Sequence, residues 1–281
     1  MANEKQKNYW TNMVGKKWVS MGDEMEMRFA AINELLMQEA ALKAGEKVLD
    51  IGCGTGVTSL EAARLVGPGG QVRGVDISAP MLDVARALAT RAGLKNLDFM
   101  LADAQTDHPG LAADHLISRF GVMFFEDPVA AFTNLRASAA PGGRLTFAAW
   151  APLAKNEHWR KPFELAKALV GEGVIRRPHA PGPLAFDDTG YVLSILERSG
   201  WKNARLEERN VYLAGESIER EAQIACILGP SGALLEEKRA DESLLKKAEE
   251  AFLKSLPDYA ESLPDGRIRL LATINMVSAS A

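Results

Sequence analysis

The chain has 281 residues, 47% of them apolar and 25% charged, with a formal net charge of −4. That length carries one large domain, or a domain with a cap, and buries a sizeable core. The acidic balance, with no long basic run, argues against a nucleic-acid backbone as the main partner. Cys53 and Cys226 lie far apart and belong to no metal-spaced cluster. A structural disulfide or metal centre is therefore not expected, and a reducing cytoplasm is the expected compartment. The polar start MANEKQKNYW lacks the apolar stretch of a signal peptide, and no run approaches the roughly 20 apolar residues of a membrane span.

Residues 1–45 read as helical. Met25, Phe29, Ile32, Leu36 and Ala40 recur at spacings of three and four, and Gly45 is the expected stop. Short apolar runs follow at 48–51, 72–75, 97–101, 116–118 and 144–149. Helical stretches at 58–66, 80–92 and 128–139 lie between them. This alternation predicts a parallel sheet with helices on both faces. Residues 151–186 are rich in proline around one helical piece near 162–170 and read as an inserted lid. A helix is expected at 187–200, capped by Asp187 or Asp188 and ended by Gly200. A strand follows at 204–213, and then two helices across 217–256, split at Gly229-Pro230. The mixed-sign stretch 235–249 reads as a solvated helix face. The β-branched run 267–278 fits a last strand.

Chemistry concentrates at three strand ends. The strand beginning at Val48 runs into Gly52, Gly54 and Gly56 and then a helix. Glycines let the backbone approach a ligand, and the helix start offers free N–H groups. Val57 stands where a dinucleotide fingerprint would place its third glycine. Asp76 ends the second strand, where an acid can accept both ribose hydroxyls, or can serve as a helix cap. Asp103 follows the third strand, where an acid can accept the exocyclic amine of an adenine, or can be an ordinary loop residue. All three point into one crevice.

Four segments resemble the class I S-adenosylmethionine-dependent methyltransferases. They are the Val48 to Gly56 motif, Val75-Asp76 with Met81, Asp103-Ala104, and 135–147, which ends in the run from Ala140 through Pro141-Gly142-Gly143 to Phe147. Within that superfamily, the segment 118–128 and Trp150 with Trp159 resemble the ubiquinone/menaquinone-methyltransferase-like small-molecule branch. The resemblance implies a Rossmann-like, doubly wound, mostly parallel sheet of seven strands, the last antiparallel, with helical cap insertions. It implies one domain over 1–281: an N-terminal lid at 1–45, a cofactor core at 46–150, caps at 151–186 and 214–262, and the rest of the sheet at 187–213 and 263–281.

It also implies roles. Gly52, Gly54 and Gly56, with Cys53 and Thr55, surround the methionine part of S-adenosylmethionine. Asp50 supports the loop, Asp76 holds the ribose, Ile77 and Met81 flank the adenine, and Asp103 and Ala104 meet its edge. Ser118 and Arg119 sit beside the sulfonium. Tyr9, Trp10 and Trp18 form an aromatic lid, or pack into the core. His115 is expected at a strand start, half exposed and not catalytic.

A general base helps only where the acceptor must lose a proton. His158 and His179 lie in the expected lid and are the candidates, with Glu157 beside them, while His108 reads as a turn residue. Phe120, Met123, Phe124, Trp150, Trp159 and Phe186 can build an apolar pocket for a hydrophobic or aromatic small-molecule acceptor. Methylation at O, C or N stays open, as does monomer or homodimer. A nicotinamide-dependent oxidoreductase is disfavoured by the glycine spacing. A catalytically idle cofactor-binding or regulatory protein is disfavoured by the intact Asp50, Asp76 and Asp103.

Overall fold

The structure, a computed structural model, describes residues 3–174 and 177–281. Its strands are β1 (Lys47–Ile51), β2 (Gln71–Asp76), β3 (Leu97–Leu101), β4 (Ala113–Arg119), β5 (Ala139–Trp150), β6 (Lys202–Gly215), β7 (Ala260–Ser262) and β8 (Ile268–Ser280). They lie in the order β3-β2-β1-β4-β5-β8-β6. The first five run parallel, and β8 runs antiparallel between β5 and β6. The sheet has eight strands where seven were expected, because β7 adds three residues against β8. Val48, Leu49 and Ile51 of β1 are buried, as a central strand covered on both faces requires.

Helices α1 (Glu4–Asn8), α2 (Val14–Ser20), α3 (Gly22–Arg28) and α4 (Ala30–Ala40) precede the sheet, with one π-helical turn at Tyr9–Met13. The chain leaves α4 earlier than Gly45. Ala41 takes the left-handed conformation, φ 45°, and its N–H closes on the Met37 carbonyl. Helices α5 (Val57–Val66), α6 (Ala79–Ala92), α7 (Pro128–Ala137) and α9 (Thr189–Arg198) accompany the strands, with α8 (Glu157–Val170) preceding α9 in the chain. Asp188 caps α9 by accepting from the Tyr191 N–H at 2.8 Å.

Helix α8 packs on α11 (Gly229–Glu237) and α12 (Glu242–Ser255), and both of these pack on α10 (Ile218–Ile227). Three helices thus replace the two expected across 217–256. Arg239 turns left-handed at φ 53°, and Asp241 caps a new helix by accepting from the Leu244 N–H at 2.8 Å. The stretch 235–249 is therefore a helix end, a turn and a new helix. Helix α8 starts before the expected 162 and holds Pro162 within it. The missing proline N–H leaves the His158 carbonyl without its helical donor. His115 corrects another expectation. It is fully buried, and its Nε2 lies 2.9 Å from the Thr146 hydroxyl of the adjacent strand. Among the described residues no helix is long and apolar enough to cross a membrane.

One side chain bolts α8 to the sheet. Asn156 is fully buried. Its Nδ2 donates to the Ala151 and Thr273 carbonyls at 3.2 and 3.1 Å, and its Oδ1 accepts from the Thr273 N–H at 3.0 Å. Asn156→Ala takes the acceptor from the Thr273 N–H and the amide donor from the Ala151 carbonyl, leaving the Thr273 carbonyl only the Ala151 N–H, and we expect it to cost about 2–4 kcal/mol in urea unfolding with an unchanged slope. A loss under about 1 kcal/mol would mean that water replaces the amide.

Candidate active site

The loop after β1 has positive φ at Gly52, Gly54 and Gly56: 64°, 56° and 86°. A Cβ on Gly56 would meet Ala85 and Phe99 at 2.8 and 2.9 Å, so this glycine serves packing at the entry to α5. Gly52, Cys53, Gly54 and Thr55 instead line a cavity of about 770 Å³. Asp76 stands beside them, its Oδ2 accepting from the Gly54 N–H and its Oδ1 from the Ser78 N–H, both at 2.8 Å. It is thus a cap and a brace for the glycine loop as well as part of the cavity wall. Burial pushes its carboxyl above the ordinary range. Ile77, Met81, Asp103 and Ala104 continue the wall. The Asp103 Oδ1 accepts from Asn3 Nδ2 at 2.9 Å and from the Gln105 N–H at 3.0 Å.

Two of the expected residues lie behind the wall. Asp50 is buried, and its Oδ2 accepts from the Ser59 hydroxyl at 2.6 Å. Ser118 donates to the Ile51 carbonyl at 2.7 Å and accepts from the Gly121 N–H at 3.1 Å. Both hold the loop in place, and neither faces the cavity. Arg119 does face it. Its Nη2 donates to Glu26 at 2.9 and 2.6 Å, while its buried Nη1 has no partner.

The opposite wall is aromatic. Phe120 has φ 67°, and its ring stacks on Trp150 with centroids 4.5 Å apart. Trp150 lies 4.5 Å from Trp159 and 5.7 Å from His158. Phe29 joins Phe120 at 5.7 Å and Trp18 at 6.2 Å, and Trp10 meets Phe124 edge-on at 4.8 Å. All of these rings, with Tyr9 and Met123, line the one cavity.

Trp10 and Trp18 therefore pack on neighbouring rings and face the cavity at once. Phe186 does not reach it, and sits in the core beside Phe132 and Phe147. Glu157 is exposed and paired with Arg160. His108 accepts the Gly110 N–H in a turn. His179 lines the cavity at φ 56°, its ring stacked on Tyr191 at 3.7 Å. His158 is 3% exposed, and burial, with Arg28 nearby, pushes its pKa down to about 3.

The sequence reading missed Glu26, Arg28 and Phe29 as wall residues, and also Glu221, which pairs with Arg28. Arg28 donates from Nη1 and Nη2 to the Glu221 carboxylate at 2.5 and 2.8 Å, with both side chains buried. The only signal was polar residues set into the amphipathic stretch at 24–42.

Burial raises the Asp50 carboxyl from its ordinary 3.8 to about 7, with Ser59 and Arg119 pulling the other way. The folded chain thus holds this proton more tightly than the unfolded chain. The stabilisation is full below about pH 4 and lost as the pH climbs to about 7. Asn cannot ionise and keeps a carbonyl for Ser59. Asp50→Asn is therefore expected to gain on the native chain between these pH values, reaching roughly 2–4 kcal/mol at pH 8. Thermal melts at pH 4 and pH 8 check this, and a gap that does not grow with pH refutes it.

Residues 42–205 match a family described as a methyltransferase domain. The chain is 37% identical over 120 residues to aklanonic acid methyltransferase DauC of Streptomyces sp. (strain C5), 42% of this chain and 54% of that protein. It is 33% identical over 135 residues to ubiquinone/menaquinone biosynthesis C-methyltransferase UbiE of Hahella chejuensis, 47% of this chain and 54% of that protein. The chain thus spans about half the length of these curated relatives. In fold it is similar to the YcgJ protein of Bacillus subtilis, with a TM-score of 0.55 at 15% identity over 88% of this chain and 97% of the other. The matched domain covers both the glycine loop and the strand-end acids, and the chain belongs to the class I S-adenosylmethionine-dependent methyltransferases.

Proposed function

We propose that the protein transfers a methyl group from S-adenosylmethionine to a small hydrophobic or aromatic acceptor. One observation carries this reading: a single cavity joins the side-chain-free wall of Gly52 and Gly54, with its flanking acids, to a wall of aromatic rings. S-adenosylmethionine supplies the methyl group and keeps its sulfur as a thioether. The chain's own residues fit it. Gly52, whose missing side chain lets the Gly121 backbone approach, and Gly54, beside Met81, present backbone to the cavity, and the unpaired Nη1 of Arg119 offers a donor to the methionine carboxylate. Asp76 keeps lone pairs for ribose hydroxyls beyond those given to Gly54 and Ser78. Ile77 and Met81 flank the adenine, and Asp103 with Ala104 takes its edge. Asp50 and Ser118 act from behind, as positioning residues for the loop.

The rate then depends on holding the acceptor atom in line with the methyl group, which near-attack positioning accelerates strongly. Helices α1–α3 on one hand and α8, α10 and α11 on the other supply lining residues, which excludes water. His179, stacked on Tyr191, borders the acceptor. The names of the two curated relatives, an aklanonic acid methyltransferase and a quinone-biosynthesis enzyme, support a small-molecule acceptor. The two unpaired cysteines suit a reducing cytoplasm.

Asp76→Ala removes an ionised acceptor whose hydrogen bonds are each worth roughly 1.5–3 kcal/mol. We expect S-adenosylhomocysteine to bind about 100-fold more weakly by calorimetry. An unchanged affinity would reduce Asp76 to a cap. The native chain is expected to melt higher with S-adenosylhomocysteine and not with NAD, and the reverse pattern would overturn the reading.

A further inference from the structure

His158 is a polar group on the aromatic wall with both ring nitrogens unpartnered, where His179 leaves only Nδ1 so. It sits in the first turn of α8, 3% exposed, between Trp150 at 5.7 Å and Trp159 at 5.4 Å. Neither ring nitrogen has a hydrogen-bond partner. The Leu271 backbone comes close to the ring without completing one. A buried polar group without a partner is uncommon in a native fold and calls for a reason. The ring lines the cavity, two rings away from the glycine loop. Gly52 touches Gly121, the preceding Phe120 stacks on Trp150, and Trp150 abuts His158.

We propose that His158 is the hydrogen-bond partner of a hydroxyl on the acceptor, and that the enzyme methylates the oxygen of a neutral, planar hydroxyl compound. This rests on the aromatic-acceptor reading above. A neutral imidazole has one nitrogen free to accept such a hydrogen bond, and the low basicity of this ring keeps it neutral. The cation that acts on it, Arg28, has both Nη atoms on Glu221, so Arg28 is not free to take an acceptor carboxylate. In the transfer, the hydroxyl oxygen forms the O–CH3 bond as the C–S bond of S-adenosylmethionine breaks with its electron pair going to sulfur. Formation of the O–CH3 bond turns the hydroxyl into a far stronger acid than an imidazolium, so its proton passes to the accepting nitrogen of His158 even though burial and Arg28 weaken that base, and is then lost to water. The positive charge thus moves from sulfonium to imidazolium, and no other reactant is needed.

Three probes of one shape test this in the presence of saturating S-adenosylhomocysteine: naphthalene, 2-naphthol and 2-naphthoate, measured by equilibrium dialysis. The native chain is expected to bind 2-naphthol about tenfold more tightly than naphthalene, and 2-naphthoate more weakly than 2-naphthol. In His158→Phe the naphthol preference is expected to fall to about onefold, with S-adenosylhomocysteine affinity unchanged. In His158→Gln, which keeps an amide at the site, part of the preference is expected to return. Should His158→Phe lose S-adenosylhomocysteine binding through misfolding, His158→Gln decides by reducing the preference or leaving it intact. Equal binding of 2-naphthol and naphthalene to the native chain overturns the assignment of His158 alone. So does a preference that survives removal of the histidine. Failure of all three probes to bind overturns the aromatic-acceptor reading itself, and this assignment with it.

Discussion

Two glycines touch where β1 and β4 end, and the site is built around that contact. A side chain on Gly52 would stand 2.7 Å from the Gly121 Cα, and one on Gly121 would stand 2.5 Å from the Ile51 carbonyl oxygen. The Ser118 hydroxyl joins the two loops by bonding both Ile51 and Gly121. The turn that brings Gly121 so close places Phe120 in the left-handed region, which costs an ordinary residue roughly 1–2 kcal/mol. In that conformation the Phe120 ring lies flat on Trp150. One backbone approach therefore shapes the loop around the cofactor and also aims the first ring of the acceptor wall. The strain sits at the junction of the two halves of the site, where such outliers tend to gather.

The second constraint is electrostatic. Glu24 and Arg28, one turn apart on α3, pair with Arg220 and Glu221, neighbours on α10, each through a two-pronged contact. The Arg28–Glu221 pair is buried, so desolvation offsets much of its attraction, and its net stabilisation is small. Its effect is on register. The charges alternate along both helices, so a shifted docking would bury like charges together. The pair at Lys17 and Glu236 also links the N-terminal helices to the cap, but it is exposed and contributes little. The crossed charges thus fix the register of α3 against α10. That position also brings Arg28 close enough to His158 to oppose its protonation.

These constraints explain what could be read in the sequence. Each element of the cofactor wall sits next to a strand end, so a window of a few residues contains both the strand and its consequence. The position of Gly52, Gly54, Asp76 and Asp103 beside one cavity was legible for that reason, as was the order of strands and helices through 150, whereas Gly56, expected around the cofactor, packs against Ala85 and Phe99. Glu26, Arg28 and Phe29 were not. An amphipathic pattern shows which face of a helix is buried, but not whether that face meets core or cavity. His115 read as half exposed because a polar residue near a strand start is usually solvated. Its burial depends on Thr146 lying beside it in β5, a register no local window contains. The break between α11 and α12 was hidden because no glycine or proline marks it. Arg239 takes the left-handed conformation that glycine usually signals.

The two halves of the site also differ in how they are held, and this bears on specificity. The cofactor wall is fastened to the sheet by backbone bonds. The Gly52 and Cys53 N–H groups reach the Val75 carbonyl, and the Ala102 N–H reaches that of Asp76. The acceptor wall comes from segments far apart in sequence: Trp18 and Phe29, Trp150 to Phe163, His179, and Ile224 to Leu234. Apart from Trp150, which ends β5, these are held chiefly by side chains: Asn156 at the start of α8, bonded to Thr273 of β8, and the charges between α3 and α10. Such attachments can be exchanged without breaking a strand ladder. A change in the cap therefore reshapes the acceptor chamber while the cofactor loop keeps its geometry. Among the described residues the Phe120–Trp150 stack, the Arg119–Glu26 pair and the Thr55 hydroxyl on Glu26 join the two walls directly, the last of them from the glycine loop itself.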